Sequence, residues 1–329
     1  MKKKVFITRL IPSPAIELLE RHFSVEINSE NRALNHTELL EKIRGSHAVL
    51  CMLSDQINAD AMDAAGPQCR IFANYAVGYN NIDIQAATER RIWITNTPGV
   101  LDNATADLAW ALLFSVARRI AEADSFTRKG QFQDWAPMMF LGQDITGKTL
   151  GVIGAGRIGS NFARKGQAFQ MKILYTDPHK NSDLEASCEA ERVNLEKLLR
   201  NADFISLHVP LLPETRHLIG TKELAVMKKT AILINTSRGP VVDEAALVVA
   251  LESGTLWGAG LDVYENEPAL HPGLAALKNV VLAPHVGSAT IGTRTRMGTT
   301  AAQNIIQALA GKTPPNCVNR LRSNGTLVL

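Results

Sequence analysis

Little in this sequence points toward nucleic acid, a membrane or an oxidising compartment. Lys and Arg number 35 against 32 Asp and Glu, an excess of 3, far short of the basic field that draws phosphate backbones. The four cysteines, Cys51, Cys69, Cys188 and Cys317, lie far apart with no CxxC or other metal-ligand spacing. Such a set predicts reduced, mostly buried thiols of a cytoplasmic protein. No apolar run approaches the roughly 18 residues of a membrane-spanning helix; the longest, AALVVAL at 245–251, is flanked by Glu244 and Glu252. The opening MKKKVFITR begins like a secretory leader. Val5, Phe6 and Ile7 are followed at once by Thr8 and Arg9, so it reads as a basic tip leading into a strand. No internal repeat, low-complexity stretch or long linker interrupts the chain.

What is there is alternation. At 329 residues the chain exceeds one ordinary core and predicts two domains. Strand-like runs KVFIT, SVEI, HAVLCML, RIFANYA and IWITN are separated by PAIELLERHF, HTELLEKIRG, NADAMDAAG and IDIQAATERR, whose apolar residues fall at helical spacing. Five strands and four helices by about residue 97 make one doubly wound α/β domain. The alternation then restarts with TLGVIG, KILYTD, DFISLHV, TAILINT, GAGLDV and VVLAPH. The fold class is therefore α/β with two doubly wound parallel-sheet domains.

The stretch joining the halves, NATADLAWALLFSVARRIAEADSF, predicts one helix from an Asn103 N-cap to about Phe126. Between Leu108 and Ala117 only Ser115 is polar, so this helix needs cover on more than one side. A second subunit and the chain's own domains are both consistent with that.

Gly154, Gly156 and Gly159 form GxGxxG between a strand and a helical stretch, and Asp177 ends the next strand, 23 residues after Gly154. This spacing predicts a dinucleotide site. The glycines admit the pyrophosphate to the backbone, the helix N-terminus faces it with free N–H groups, and Arg157 stands within reach of the phosphates. Arg238 then lies just beyond one strand, Asp262 and Glu267 at the end of the next, and His285 at the end of the last. Each alone has an ordinary structural explanation: an exposed arginine, a solvated acid, a strand-capping histidine. Their joint placement at strand ends, where open α/β sheets bind ligands, points to a site. His208, in SLHVP, reads as a packed or backbone-positioning residue.

These motifs carry a resemblance along essentially the whole chain. NYAVGYNNID, TNTPGVL, ATADLAWALL, GKTLGVIGAGRIG, LHVPLLPETRHLI, INTSRGPVVDE, LDVYENEP and APHVGSAT resemble the D-isomer-specific 2-hydroxyacid dehydrogenases, within them most of all the glyoxylate/hydroxypyruvate reductases. The resemblance implies a flavodoxin-like substrate domain from residues 1–102 and 286–329, a Rossmann dinucleotide-binding domain from 103–285, and an active site in the cleft between them. It implies a homodimer acting on a small-molecule 2-oxo acid.

Carried over residue by residue, the resemblance makes Arg238, Glu267 and His285 the catalytic trio. The chemistry agrees with it: reduction of a 2-oxo acid needs a proton for the developing alkoxide, which a protonated histidine supplies. A nearby carboxylate holds the ring and favours its charged form. A planar guanidinium suits the substrate carboxylate. The resemblance also implies substrate contacts from the Val77 and Gly78 N–H groups, from Leu53, and from Trp135 reaching a partner subunit's site. It adds Thr105, Ile158, Val209, Pro210, Thr215, Thr236, Ser237, Asp262 and Gly287 as cofactor-lining residues.

Asp177 favours NAD, because a carboxylate accepts from the ribose 2′-OH and repels a 2′-phosphate. His179 and Lys180 partly offset that repulsion, so NADP is the second cofactor to test. The same fold also serves an NAD-sensing, non-enzymatic binding protein, and formate oxidation, where a Gln–His pair stands in place of Glu267 and His285.

Overall fold

A computed structural model of the chain describes residues 2–30, 32–323 and 326–327. The chain divides into two units, Met1–Leu101 with Ala289–Leu329, and Asp102–Ser288. Among the described residues the first unit alternates β1 (Lys4–Ile7), α1 (Ser13–Glu20), β2 (Ser24–Ile27), α2 (His36–Lys42), β3 (Ala48–Cys51), α3 (Ala59–Ala65), β4 (Ile71–Asn74), α4 (Ile84–Glu89) and β5 (Trp93–Thr95). Its strands pair in parallel in the order β2-β1-β3-β4-β5. That is the flavodoxin-like order. β3 and β4 are buried at every position, as parallel strands covered on both faces must be. The helices start where side chains accept the first free N–H groups: Asn35 in a capping box with Glu38, Asn58, and Asp83.

The second unit opens with α5 (Asp102–Ala117) and α6 (Ile120–Arg128), then β6 (Thr149–Ile153), α7 (Arg157–Gly166), β7 (Lys172–Thr176), α8 (Ser182–Cys188), β8 (Glu191–Arg192), α9 (Leu195–Asn201) and β9 (Phe204–Leu207). It continues through α10 (Thr221–Val226), β10 (Ile232–Asn235), α11 (Glu244–Glu252), β11 (Gly258–Leu261) and β12 (Val280–Leu282). The parallel sheet runs β12-β11-β10-β9-β6-β7-β8, so the strand order reverses between β6 and β9. That switch point is where doubly wound sheets bind ligands. The chain returns to the first unit as α12 (Ile291–Leu309), which packs on α1 and β4.

Two elements differ from the expectations. The joining helix is two helices, because Arg119 takes a left-handed backbone (φ 53°) between α5 and α6. A local pair and contacts from beyond α6 hold the break: the Arg119 guanidinium pairs with Glu122, three residues on, at 2.8 Å and lies 5.2 Å from the Phe140 ring centroid. The Gln143 N–H caps the Ala117 carbonyl at 2.8 Å, and a Cβ on Gly142 would sit 2.1 Å from that oxygen. The sheet also holds β8, a two-residue charged edge strand too short to show as a periodic run. Within its unit α5 packs on α7, β10 and β11, leaving Asn103, Asp107 and Ala111 exposed.

The thiols of Cys51, Cys69 and Cys188 are buried, that of Cys317 half-buried, and all four are free. Burial pushes each of them up, Cys69 to about 12 and Cys317 to about 11. Inert packing is their role.

Candidate active site

The glycine turn links β6 to α7 as its spacing requires. Gly154 has φ +92°, and a Cβ there would lie 2.8 Å from the His208 carbonyl carbon. A Cβ on Gly159 would lie 1.9 Å from the Gly154 carbonyl oxygen, so only glycine lets α7 start this close to the strand. Gly156, the α7 N-cap, has open space where its side chain would be and offers no side-chain cap. The first N–H groups of α7 therefore have no side-chain cap, an arrangement that suits a pyrophosphate, and Arg157 is exposed beside them. Ile158 is half-buried on the first turn of α7.

His208 lies beneath this turn. Burial pushes its pKa down to about 3, its Nε2 meets Ser206 Oγ at 2.9 Å, and its ring centroid is 5.1 Å from that of Phe162. A neutral ring wedged there supports the turn.

Asp177 follows β7. Its Oδ2 accepts the Ala155 N–H, inside the glycine turn, and its Oδ1 the His179 N–H, both at 2.9 Å. Each oxygen keeps acceptor capacity for a ribose hydroxyl. Arg192 on β8 donates to the Asp177 carbonyl at 2.9 Å and to the Pro178 carbonyl at 2.7 Å. Sequence reasoning missed this cation, because its strand was not legible.

Across the switch point, Val209 is half-buried and Pro210 exposed. Thr215 Oγ1 ties their loop by donating to the Pro210 carbonyl at 2.6 Å and accepting the Leu212 N–H at 2.8 Å. Beyond β10, the buried Asn235 side chain accepts the Ser237 N–H at 3.0 Å and Oγ at 2.8 Å, and donates to the Arg238 carbonyl at 2.9 Å. Thr236 Oγ1 is buried without a protein partner, which suits a polar ligand. Burial lowers the Arg238 guanidinium's pKa, and the Glu267 charge opposes that.

The loop after β11 presents Glu267. Gly239 abuts it so closely that a Cβ would overlap Tyr264, and the buried Glu244 accepts the Glu265 N–H at 2.7 Å. Glu267 Oε1 accepts the Tyr264 N–H at 3.0 Å, and Oε2 lies 2.8 Å from His285 Nδ1. Burial works to raise the Glu267 pKa. The His285 hydrogen bond and charge, the Tyr264 N–H and Arg238 outweigh it and hold the carboxyl below its ordinary value.

His285 follows β12 with φ 55°, a left-handed backbone that non-glycine residues seldom adopt and that the surroundings must enforce. Asp262 enforces it. Its carbonyl accepts the His285 N–H at 2.9 Å, and its carboxylate accepts the N–H groups of Val286 and Gly287 at 2.7 and 2.8 Å. Burial raises the Asp262 pKa even so. A Cβ on Gly287 would crowd Asp262 Oδ2 at 3.2 Å and Thr105 Cγ2 at 3.4 Å, which places these three side by side.

Known proteins resemble the whole chain. Residues 110–287 match the NAD binding domain of the D-isomer specific 2-hydroxyacid dehydrogenases. A glyoxylate reductase of Thermococcus gammatolerans is 51% identical over 324 residues, covering 97% of each chain. The chain belongs to the D-isomer specific 2-hydroxyacid dehydrogenase family. Crystal structures agree. A glyoxylate reductase from Paecilomyes thermophila is 33% identical with a TM-score of 0.85, covering 96% of this chain and 98% of its own. An NADPH-dependent glyoxylate/hydroxypyruvate reductase from Sinorhizobium meliloti, solved with NADP and malonate, is 29% identical with a TM-score of 0.84 and 97% coverage of both chains.

The protein is thus a dehydrogenase carrying its family's NAD-binding domain. Of the other residues expected to serve the reaction, Leu53, Val77 and Gly78 belong to the first unit and Trp135 to the second. Leu53 follows β3, 37% exposed, and Val77 and Gly78 follow β4, half-buried. Trp135 lies between α6 and β6 and is 73% exposed. No group of three or more potential metal-ligating side chains occurs among the described residues, and no helix there is long and apolar enough to cross a membrane.

Proposed function

We propose that this dehydrogenase reduces a short 2-oxo acid, glyoxylate or hydroxypyruvate, to the 2-hydroxy acid, with His285 as the proton donor. The observation that carries the reading is the Glu267–His285 pair at 2.8 Å, in the unit that holds the glycine turn. The relatives named as glyoxylate reductases support the choice of substrate.

When bound, a reduced nicotinamide would supply the hydride for the carbonyl carbon. His285 gives its proton to the carbonyl oxygen as the alkoxide forms. Glu267, bonded to Nδ1, fixes the ring so that Nε2 is the atom that carries the transferable proton. Arg238 takes the substrate carboxylate and polarises the carbonyl, aided by the Val77 and Gly78 N–H groups and by Leu53 packing alongside. Gly154, Gly156 and Gly159 with the α7 N-terminus and Arg157 hold the pyrophosphate, and Asp177 takes the ribose. Thr105, Ile158, Val209, Pro210, Thr215, Thr236, Ser237, Asp262 and Gly287 line the same site.

The enzyme acts in the cytoplasm as a homodimer. Phe132, Trp135, Met138 and Leu141, 55, 73, 76 and 51% exposed, form an apolar segment that a partner copy covers. Initial rates with glyoxylate, hydroxypyruvate and longer 2-oxo acids, each with NADH and NADPH, test the proposal. Turnover of none of the short acids would overturn it.

A further inference from the structure

The loop after β4 carries Val77 and Gly78, and side-chain amides grip the carbonyls of both residues. Asn96 Nδ2 donates to the Val77 carbonyl at 2.9 Å, and Asn74 Nδ2 donates to the Gly78 carbonyl at 2.8 Å. In a trans peptide the carbonyl and the N–H point in opposite directions. A donor on the Val77 oxygen therefore turns the Gly78 N–H away from Asn96. It also polarises that peptide, and hydrogen bonds in such chains strengthen one another by about 10–30%. Glycine has more backbone freedom to lose than any other residue. Anchors on either side remove that freedom before a ligand arrives.

The two amides are themselves fixed. Asn74 is fully buried at the end of β4, with its Oδ1 3.9 Å from the Cys51 thiol on β3. Asn96 follows β5; its N–H donates to the Asn316 carbonyl at 3.2 Å, and its carbonyl accepts from Asn304 Nδ2 at 3.4 Å. Asn304, fully buried on α12, accepts the Asn316 N–H at 3.3 Å through Oδ1. The next residue, Thr97, donates its N–H to the Ala76 carbonyl at 2.9 Å. A network rooted in α12 thus ends on one peptide of the loop.

We propose that Asn96 is a positioning residue for substrate recognition: through the Val77 carbonyl it aims and polarises the Gly78 N–H that binds the carboxylate of the 2-oxo acid. Asn74 holds the other side of Gly78. This rests on the reading of Val77 and Gly78 as substrate contacts. It accounts for two side-chain donors converging on successive carbonyls of a loop whose only assigned task is to present N–H groups. Without Asn96 the loop closes but its donor is mis-aimed, so the loss falls on the 2-oxo acid and spares the cofactor.

The test has two arms. In the first, amide resonances of the ¹⁵N-labelled wild-type enzyme with NADH are followed during titration with oxamate, a carboxylate analogue of the substrate. In the second, steady-state constants are measured for Asn96→Ala and Asn96→Ser, the second variant serving if the first does not fold. Movement of the Gly78 amide, with KM for glyoxylate up about tenfold, kcat within about threefold and KM for NADH unchanged, supports the proposal. A moving Gly78 amide with unchanged KM for glyoxylate overturns it and leaves the substrate loop standing. An unmoved Gly78 amide overturns both. Equal losses in both KM values would show a structural role alone and overturn it as well.

Discussion

The His285 N–H donates to the Asp262 carbonyl at 2.9 Å, and the Asp262 carboxylate holds the next two N–H groups of the same loop. Asp262 is 1% exposed, so both of its oxygens are committed to shaping the turn that presents the histidine. Asp262→Asn keeps the volume but points an NH₂ at one of those N–H groups. We expect kcat to fall about tenfold or more, since a lost buried bond costs about 1–3 kcal/mol and each 1.4 kcal/mol is tenfold in rate. Circular dichroism should stay unchanged. Near-normal turnover in this variant would remove Asp262 from the account.

Glu267 gives a pH prediction whose sign follows from its lowered pKa. A depressed carboxyl pKa means that the pairing is present above the unfolded value and is lost as pH falls through the folded one. The wild-type enzyme should therefore keep the Glu267 carboxylate, and the turnover that depends on it, down to pH values below the usual 4.5. Glu267→Gln removes the anion at every pH. Its deficit should persist wherever the wild-type carboxylate is ionised and close only as pH falls through the lowered Glu267 pKa, where the wild type loses its anion too. A deficit independent of pH would leave Glu267 as a spacer only.

Asp177 sets the expectation for cofactor choice. Its two oxygens are already anchored to the Ala155 and His179 N–H groups, so the carboxylate is fixed beside the glycine turn. NADH should exceed NADPH in kcat/KM at fixed glyoxylate. Arg192, on the Asp177 and Pro178 carbonyls, adds a cation to that of Lys180, so the preference should be moderate. Asp177→Ser should narrow or reverse the ratio. Equal use of NADPH by the wild type would show that the cations outweigh the carboxylate.

The exposed apolar segment at Phe132, Trp135, Met138 and Leu141 predicts a dimer. Light scattering should give twice the 35.8 kDa chain mass at micromolar concentration. Trp135→Glu should shift the population toward monomer. A wild-type monomer at that concentration contradicts the assignment of Trp135 to a partner's site.

The strands were legible because parallel strands covered on both faces must be continuous apolar runs, and β3, β4, β9 and β10 are buried throughout. Arg238, Glu267 and His285 were legible as polar residues just past such runs. The helix break at Arg119 was not, because no glycine or proline marks it. It depends on a local pair with Glu122 three residues on, and on Phe140 and Gln143 arriving from beyond α6. β8 hid because two charged residues carry no period. Asp262 was legible as a strand-end acid but its hold on the His285 turn was not; like Asn235 and Asn96 it acts through backbone groups of its neighbours, and hydrogen bonds to main chain leave no spacing in a sequence. An asparagine or aspartate at the end of a buried strand was the only signal.

The central claim is that His285 delivers the proton to a 2-oxo acid. Its most direct test is single-turnover reduction of glyoxylate by NADH in wild type and His285→Asn, with NADH affinity measured separately by fluorescence. Loss of the general acid should slow the reduction by about 10²–10⁴-fold while NADH binds with near wild-type affinity. Reduction by His285→Asn at close to the wild-type rate would contradict the claim.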